Sequence, residues 1–130
     1  MVFSYERTSI FSVNPMSMQG SKDWLQRLNA IIEQQLDDPS LNNLQLAQAL
    51  TVSERHLFRK VKALTGMSPQ KYLNQYRLQR ALRHLETGTY RTVKETSFAV
   101  GFRSTSYFIR QFERQFGKKP LQVLQDAGWR

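Results

Sequence analysis

The chain contains one structural unit twice, and this repetition limits the folds that it can adopt. The stretch LAQALTVSERHLFRKVKALTG begins at Leu46, and a matching stretch, TSFAVGFRSTSYFIRQFERQFG, begins at Thr96, 50 residues further on. One extra residue in the second copy then changes the offset to 51. Each copy has the pattern of a short helix, a tight turn, a serine-capped amphipathic helix, a glycine stop and a proline restart.

The second helix of each copy has one apolar face and one polar face. In the first copy the apolar stripe consists of Leu57, Phe58, Val61 and Leu64, and the opposite face carries Arg55, Arg59 and Lys62. The short helix is expected to pack on that stripe, which gives the outline of a helix-turn-helix. No segment has the pattern of a strand. The sequence therefore predicts an all-α, homeodomain-like fold of about seven helices, with two helix-turn-helix subdomains joined by a long linker helix.

The free face of each second helix is a candidate for reading DNA. A major groove about 12 Å wide admits a helix, and an arginine fork can bond the O6 and N7 atoms of guanine together. Arg59 and Arg110 fall at the same position in the two copies. Ser53 and Ser104 leave backbone N–H groups at helix starts, where phosphates are favourable partners.

The rest of the chain divides around these copies. Residues 1–20 are predicted to be a linker or arm, residues 21–86 the first subdomain with the linker helix, and residues 87–130 the second subdomain. Ser21 or Asp23 is the expected cap of the helix that ends near Asp37-Asp38-Pro39. The expected core contacts of the linker helix are Tyr72, Leu73, Tyr76, Leu82 and Leu85. This stretch spans about 20 Å, and adjacent major grooves lie about 34 Å apart, so the helix is expected to help set that spacing.

Charge is concentrated where the repeats are. Residues 1–52 carry three Lys/Arg and five Asp/Glu, whereas residues 53–130 carry sixteen and five, a net charge of +11. Such a field attracts nucleic-acid phosphates or anionic membranes. The repeated caps favour sequence-specific DNA binding over a basic membrane-binding or calmodulin-binding helix, and the matched arginines favour it over binding without sequence preference.

Other classes of protein find little support. There is no cysteine, and His56 and His84 have no ligand spacing around them, so no metal or cofactor is expected. No nucleophile has a matching base and no glycine-rich phosphate loop occurs, so no enzyme is expected. Without a long apolar run or a secretory start, a cytoplasmic protein is the expectation.

Two stretches, LAQALTVSERHLFRKVKALTGMSPQKYLNQYRLQRAL and VGFRSTSYFIRQFERQFGKKP, resemble the DNA-binding domain of the AraC/XylS family of bacterial transcription regulators. The second is the more specific, because Gly-Phe, a Ser/aromatic pair and an F-x(3)-FG-x-x-P ending are typical of the family. The resemblance implies that helices 53–64 and 104–116 enter adjacent major grooves of a promoter site and so control transcription. It also implies RNA polymerase as a partner if the protein is an activator, and a sensor or receiver domain outside this segment. The helix at 23–36 resembles versions in hybrid two-component proteins.

The resemblance also suggests individual contacts. It implies base contacts by Arg55, Arg59, Thr105, Ser106 and Arg110, and backbone contacts by Ser53, Lys60, Arg103, Ser104, Lys118 and Lys119. From their positions, His56 and Tyr107 are further candidates for phosphate contact, with surface exposure and core packing as the respective alternatives. The chain departs from the family at Thr96-Ser97, where Ile-Ala is usual, and two hydroxyls there can loosen the packing unless they find partners. Lys94 shifts the expected helix cap to Thr92, and Lys119 replaces a common serine.

Overall fold

The computed structural model describes residues 15–128, which form seven helices and the turns between them. The helices are α1 (Pro15–Gln34), α2 (Asn43–Ala49), α3 (Glu54–Thr65), α4 (Pro69–Thr87), α5 (Val93–Ala99), α6 (Thr105–Phe116) and α7 (Pro120–Asp126). No strand occurs among these residues, and the prediction of an all-α fold is confirmed. Within the same range, no helix is both long enough and apolar enough to span a bilayer.

The first helix begins earlier than the sequence suggests. It starts at Pro15 rather than at Ser21 or Asp23, so the expectation of an arm is wrong for residues 15–20, while residues 1–14 lie outside the described residues. Proline suits the first turn of a helix because its missing N–H has no partner there anyway. Gly20 lies within the helix, where a glycine costs only about 1 kcal/mol relative to alanine.

The chain divides into two compact units, each assembled from two stretches of sequence. Of the described residues, the first unit contains 15–35 and 41–74, and the second contains 36–40 and 75–128. The sequence assigned the whole linker helix to the first subdomain. In the structure α4 contributes residues up to Asn74 to the first unit and residues from Gln75 to the second.

The core of the first unit is largely apolar. Its fully buried side chains include Leu25, Leu28, Ile32, Leu46, Leu57 and Val61. The buried Tyr72 donates its hydroxyl to Oδ1 of Asn29 at 2.6 Å, which joins α4 to α1. Phe58, expected on the apolar stripe, is 48% exposed. The stripe instead continues through the buried Thr65, whose hydroxyl donates to the Val61 carbonyl at 2.7 Å.

Aromatic rings fill much of the core of the second unit. Phe108 lies 5.1 Å from Phe102 and 5.6 Å from Phe112, and Phe112 lies 4.6 Å from Phe116, measured between ring centroids. Phe108 and Phe112 are fully buried. The linker helix contributes Leu78, Ala81 and Leu85, whereas Leu82, which was expected in the core, is only half-buried. The buried face of α4 follows a spacing of three and four residues, and Leu82 lies beside it.

The two unusual hydroxyls on α5 are buried and have partners. Thr96 and Ser97 are completely buried. The Thr96 hydroxyl donates to the Thr92 carbonyl at 2.9 Å, and the Ser97 hydroxyl donates to the Lys94 carbonyl at 2.8 Å. Because each buried hydroxyl is satisfied, the main cost of placing it in a core is offset, and the looser packing that the sequence suggested is not required.

Arg77 and Gly101 contact the backbone of residues 36–40 within the second unit. Arg77 is buried, and its Nη2 donates to the carbonyl of Asp38 at 2.7 Å. Gly101 has φ +93 and lies against the Leu36 carbonyl and the Arg77 guanidinium. A Cβ added at Gly101 would overlap the Leu36 carbonyl oxygen and lie 2.7 Å from Nε of Arg77. Burial lowers the pKa of the Arg77 guanidinium from its ordinary value, which the negative charge of Asp38 partly opposes. The guanidinium nevertheless stays charged, because its ordinary pKa is so high.

Candidate nucleic-acid interface

The two turns have the same hydrogen-bond pattern, so the sequence repeat is also a structural repeat. In the first unit, the Val52 N–H donates to the Ala47 carbonyl at 2.9 Å. In the second, the Phe102 N–H donates to the Ser97 carbonyl at 3.0 Å. The residue before each donor has a left-handed backbone, with φ +57 at Thr51 and φ +93 at Gly101. Each short helix therefore ends in the same reversal, which directs the chain into the following helix.

The caps of α3 and α6 are those that the sequence predicted. The hydroxyl oxygen of Ser53 accepts the His56 N–H at 3.0 Å, and that of Ser104 accepts the Tyr107 N–H at 3.1 Å. Both helices end at a left-handed glycine, Gly66 and Gly117. Thr92 and Glu95 form the expected capping box at the start of α5. These local signals fix where each candidate recognition helix begins and ends.

The predicted contact residues lie mainly on exposed surface. The exposed ones are Ser53, Arg55, His56, Arg59, Arg103, Ser104, Ser106, Tyr107, Arg110, Lys118 and Lys119. Thr105 and Lys60 are half-buried. Arg55 and Arg59 are four residues apart on α3, and Ser106 and Arg110 are four apart on α6, so each pair lies on one face of its helix.

Contacts within each unit distinguish among the basic residues. The guanidinium carbon of Arg110 lies 5.9 Å from the ring centroid of Tyr107, which helps to orient the arginine. The ammonium of Lys60 lies 5.7 Å from the Trp24 ring. Lys62, which belongs to the predicted basic face, donates to the Gly66 carbonyl at 3.2 Å and so stabilises the end of α3. Arg55 and Arg59 are therefore the basic side chains of α3 that are candidates to face the groove.

The sequence did not anticipate a role for Ser97 near the interface. Its buried hydroxyl lies 3.1 Å from Oγ1 of Thr105, the first residue of α6 and a predicted base contact. The departure from Ile-Ala at Thr96-Ser97 was the available signal. It marked buried hydroxyls in need of partners but could not show which residue of another helix would supply one.

Two helices joined by a tight turn, with the second helix exposed and basic, define a helix-turn-helix DNA-binding domain. A family model for a helix-turn-helix domain matches residues 46–126, which cover both repeats. The chain belongs to this family, that of the AraC-type DNA-binding domains of transcription regulators, and the predicted resemblance is confirmed.

Relatives and solved structures agree with this assignment. The transcriptional activator RhaS of Escherichia coli strain SE11 is 32% identical over 109 residues, which are 84% of this chain and 38% of RhaS. The C-terminal domain of the two-component response regulator yesN from Fusobacterium nucleatum is 30% identical with a TM-score of 0.67, covering 75% of this chain and 93% of that domain. The DNA-binding domain of the global transcriptional factor AdpA, solved in complex with a target DNA, is 30% identical with a TM-score of 0.70 and covers 78% of this chain and 90% of that one. The chain spans less than half the length of the first curated relatives that it matches.

Proposed function

We propose that this chain binds double-stranded promoter DNA in a sequence-specific manner and thereby controls transcription. In this proposal α3 and α6 insert into adjacent major grooves of one site. The observation that carries it is the duplicated geometry: two serine-capped, glycine-ended helices follow the same turn, and each exposes an arginine at the equivalent position. No catalytic activity is assigned to the chain.

The proposed base contacts are Arg55 and Arg59 on α3 and Thr105, Ser106 and Arg110 on α6. Arginine is suited to guanine because two of its N–H groups can reach O6 and N7 in one plane. Tyr107 supports this role for Arg110, since a guanidinium held near an aromatic ring loses less freedom on binding.

The proposed backbone contacts surround these base readers. They are Ser53, His56, Lys60, Arg103, Ser104, Tyr107, Lys118 and Lys119. Ser53 and Ser104 each use the hydroxyl oxygen to cap a helix, which leaves the hydroxyl hydrogen for a phosphate oxygen. Lys60 would have to leave the Trp24 ring to reach a phosphate, so it is expected to contribute less than the exposed Lys118 and Lys119.

Removing either equivalent arginine is expected to weaken specific binding. Arg59→Ala and Arg110→Ala should each weaken the free energy of binding by about 1–3 kcal/mol, because a two-bond contact to one base is lost. The duplex for this measurement is one selected by the parent chain from a random library. Each variant should also relax the preference at a different base pair. Titration of a labelled duplex by fluorescence anisotropy, repeated with single-base variants of the site, measures both effects.

The matched control is Arg83→Ala, which removes an exposed arginine from α4 and lowers the net charge by the same amount. It should leave the base preference unchanged. If Arg59→Ala and Arg110→Ala retained the parent's discrimination between the selected and random duplexes, base reading by these residues would be wrong.

A backbone contact should behave differently from a base contact. Lys118→Ala is expected to weaken binding to all duplexes alike and to reduce the slope of log K against log salt concentration by about 1. Affinities measured over a range of salt concentrations, on selected and scrambled duplexes, provide the comparison. An unchanged slope would remove Lys118 from the proposed backbone contacts.

The named relatives support the wider proposal. RhaS is described as a transcriptional activator, yesN as a two-component response regulator, and AdpA was solved with a target DNA. By analogy, we propose RNA polymerase as a partner if this protein is an activator, and a sensor or receiver domain as the source of regulation. Selection of bound duplexes from a random library tests the core of the proposal. Two half-sites about one helical turn apart are expected, whereas retention without sequence enrichment would indicate binding through the backbone alone.

A further inference from the structure

The hydroxyl of Thr105 bonds with a side chain inside the second unit. Ser97 on α5 is completely buried, and its Oγ lies 3.1 Å from Oγ1 of the half-buried Thr105 at the start of α6. This contact joins the two helices of the second helix-turn-helix at the edge of its proposed DNA-binding face. The direction of the hydrogen bond decides what Thr105 can still offer to a ligand.

A second contact of Ser97 sets that direction. Its Oγ lies 2.8 Å from the carbonyl oxygen of Lys94, and a carbonyl can only accept. Ser97 has a single hydroxyl hydrogen, which is therefore donated to Lys94. In the contact with Thr105, the Ser97 oxygen must accept and the Thr105 hydroxyl must donate.

The hydroxyl of Thr105 consequently has no hydrogen left for another partner. It retains a lone pair that can accept a hydrogen bond. In the major groove, the donors are the N4 amino group of cytosine and the N6 amino group of adenine, whereas guanine O6 and thymine O4 only accept. An unconstrained threonine could bond with either kind of group, because its hydroxyl can rotate to donate or to accept.

We propose that Ser97 is a positioning residue that limits Thr105 to accepting a hydrogen bond. The second unit should then prefer, opposite Thr105, a base whose amino group lies in the major groove, which is cytosine or adenine. This inference rests on the proposed function, because it requires α6 to lie in a major groove. In this proposal Ser97, which is buried and does not contact DNA, also determines the sequence preference. Ser97 acts through the hydroxyl hydrogen of its neighbour.

The test compares duplexes selected from a random library by the parent chain and by Ser97→Ala. The parent should prefer cytosine or adenine over guanine or thymine at one position of the half-site bound by the second unit. In Ser97→Ala the Thr105 hydroxyl is released, and this preference should fall by about 3- to 10-fold, the value of one hydrogen bond. Preferences at the remaining positions should stay unchanged.

Thr96→Val is the matched structural control. Thr96 is buried beside Ser97, but its hydroxyl donates to the Thr92 carbonyl within the same helix. The substitution perturbs the same helix but removes a hydroxyl that bonds within α5 rather than with Thr105, so the base preference should persist. If Thr96→Val and Ser97→Ala relaxed the same position equally, the effect would come from packing and the inference would be overturned.

Thr105→Val provides a test that does not depend on the folding of Ser97→Ala. Valine keeps the shape of the side chain but lacks the acceptor, so the same preference should disappear, and adding Ser97→Ala should change it no further. An unchanged selection in both Ser97→Ala and Thr105→Val overturns the inference while leaving a two-half-site parent motif intact. A parent motif that lacks the half-site for the second unit would instead overturn the proposed function, and this inference with it.

Discussion

Gly101→Ala is expected to destabilise the second unit by about 3 kcal/mol or more, from the combined cost of a left-handed alanine and of overpacking. The backbone has φ +93 at this position, and the new Cβ would overlap the Leu36 carbonyl oxygen. That oxygen belongs to the main chain, so it cannot move aside as a flexible side chain would. The added Cβ would also lie 2.7 Å from Nε of the Arg77 guanidinium.

The loss should be confined at first to the second unit. Amide hydrogen exchange followed by mass spectrometry can compare peptides from residues 41–74 with peptides from residues 75–128. Exchange should accelerate in the latter, and selected duplexes should lose the half-site assigned to α6. Urea unfolding followed by circular dichroism gives the change in the free energy of unfolding.

Thr51→Ala is the matched control, because Thr51 occupies the equivalent place in the first turn. Its backbone is also left-handed, with φ +57, but the position is exposed and already carries a β-branched side chain. Alanine there should change the free energy of unfolding by less than about 1 kcal/mol. Parent-like stability of Gly101→Ala would show that residues 36–40 can move away from the turn, contrary to the packing described above.

Phe108→Ala is expected to cost about 3–5 kcal/mol of stability, because it removes a fully buried ring and leaves a cavity. The ring contacts Phe102 and Phe112, so the cavity would open at the centre of the second unit, beneath α6. Since α6 is held in place by this packing, binding to the half-site of the second unit should be lost together with stability. Thermal unfolding and duplex titration at a temperature below the transition measure the two consequences.

Phe98→Ala provides the same chemical change at an exposed position of the same unit. Its side chain is 46% exposed and lies 6.0 Å from the Lys94 ammonium, measured to the ring centroid. The expected cost is below about 1 kcal/mol. Equal losses for Phe98→Ala and Phe108→Ala would contradict the assignment of the ring cluster as the core.

Local signals in the sequence were sufficient to predict most helix limits. The Ser53 and Ser104 caps, the Gly66 and Gly117 stops and the Thr92 capping box depend on bonds between residues that are close in sequence. Such bonds depend mainly on the local sequence. The start of α1 was missed because Pro15 and Gly20 are compatible with a helix but are not evidence for one.

Burial and contacts between helices could be predicted only in part. Periodicity placed Leu57 and Val61 correctly, but it could not separate Phe58 or Leu82 from the core, since one helical step decides which side chains face a neighbour. The bond between Ser97 and Thr105 required the relative position of two helices, which no local pattern contains. The proposed base and backbone contacts remain predictions, supported by exposure and by position on α3 and α6.

The attachment of residues 36–40 by Arg77 has a consequence for how the protein folds. Five residues from between α1 and α2 pack in the second unit, so neither unit is a continuous segment of sequence. A fragment beginning at Gln75 would lack the Asp38 carbonyl and leave a buried guanidinium without that acceptor. Residues 36–40 are separated in sequence from the rest of the second unit by residues 41–74, so forming that unit includes the entropic cost of closing this loop.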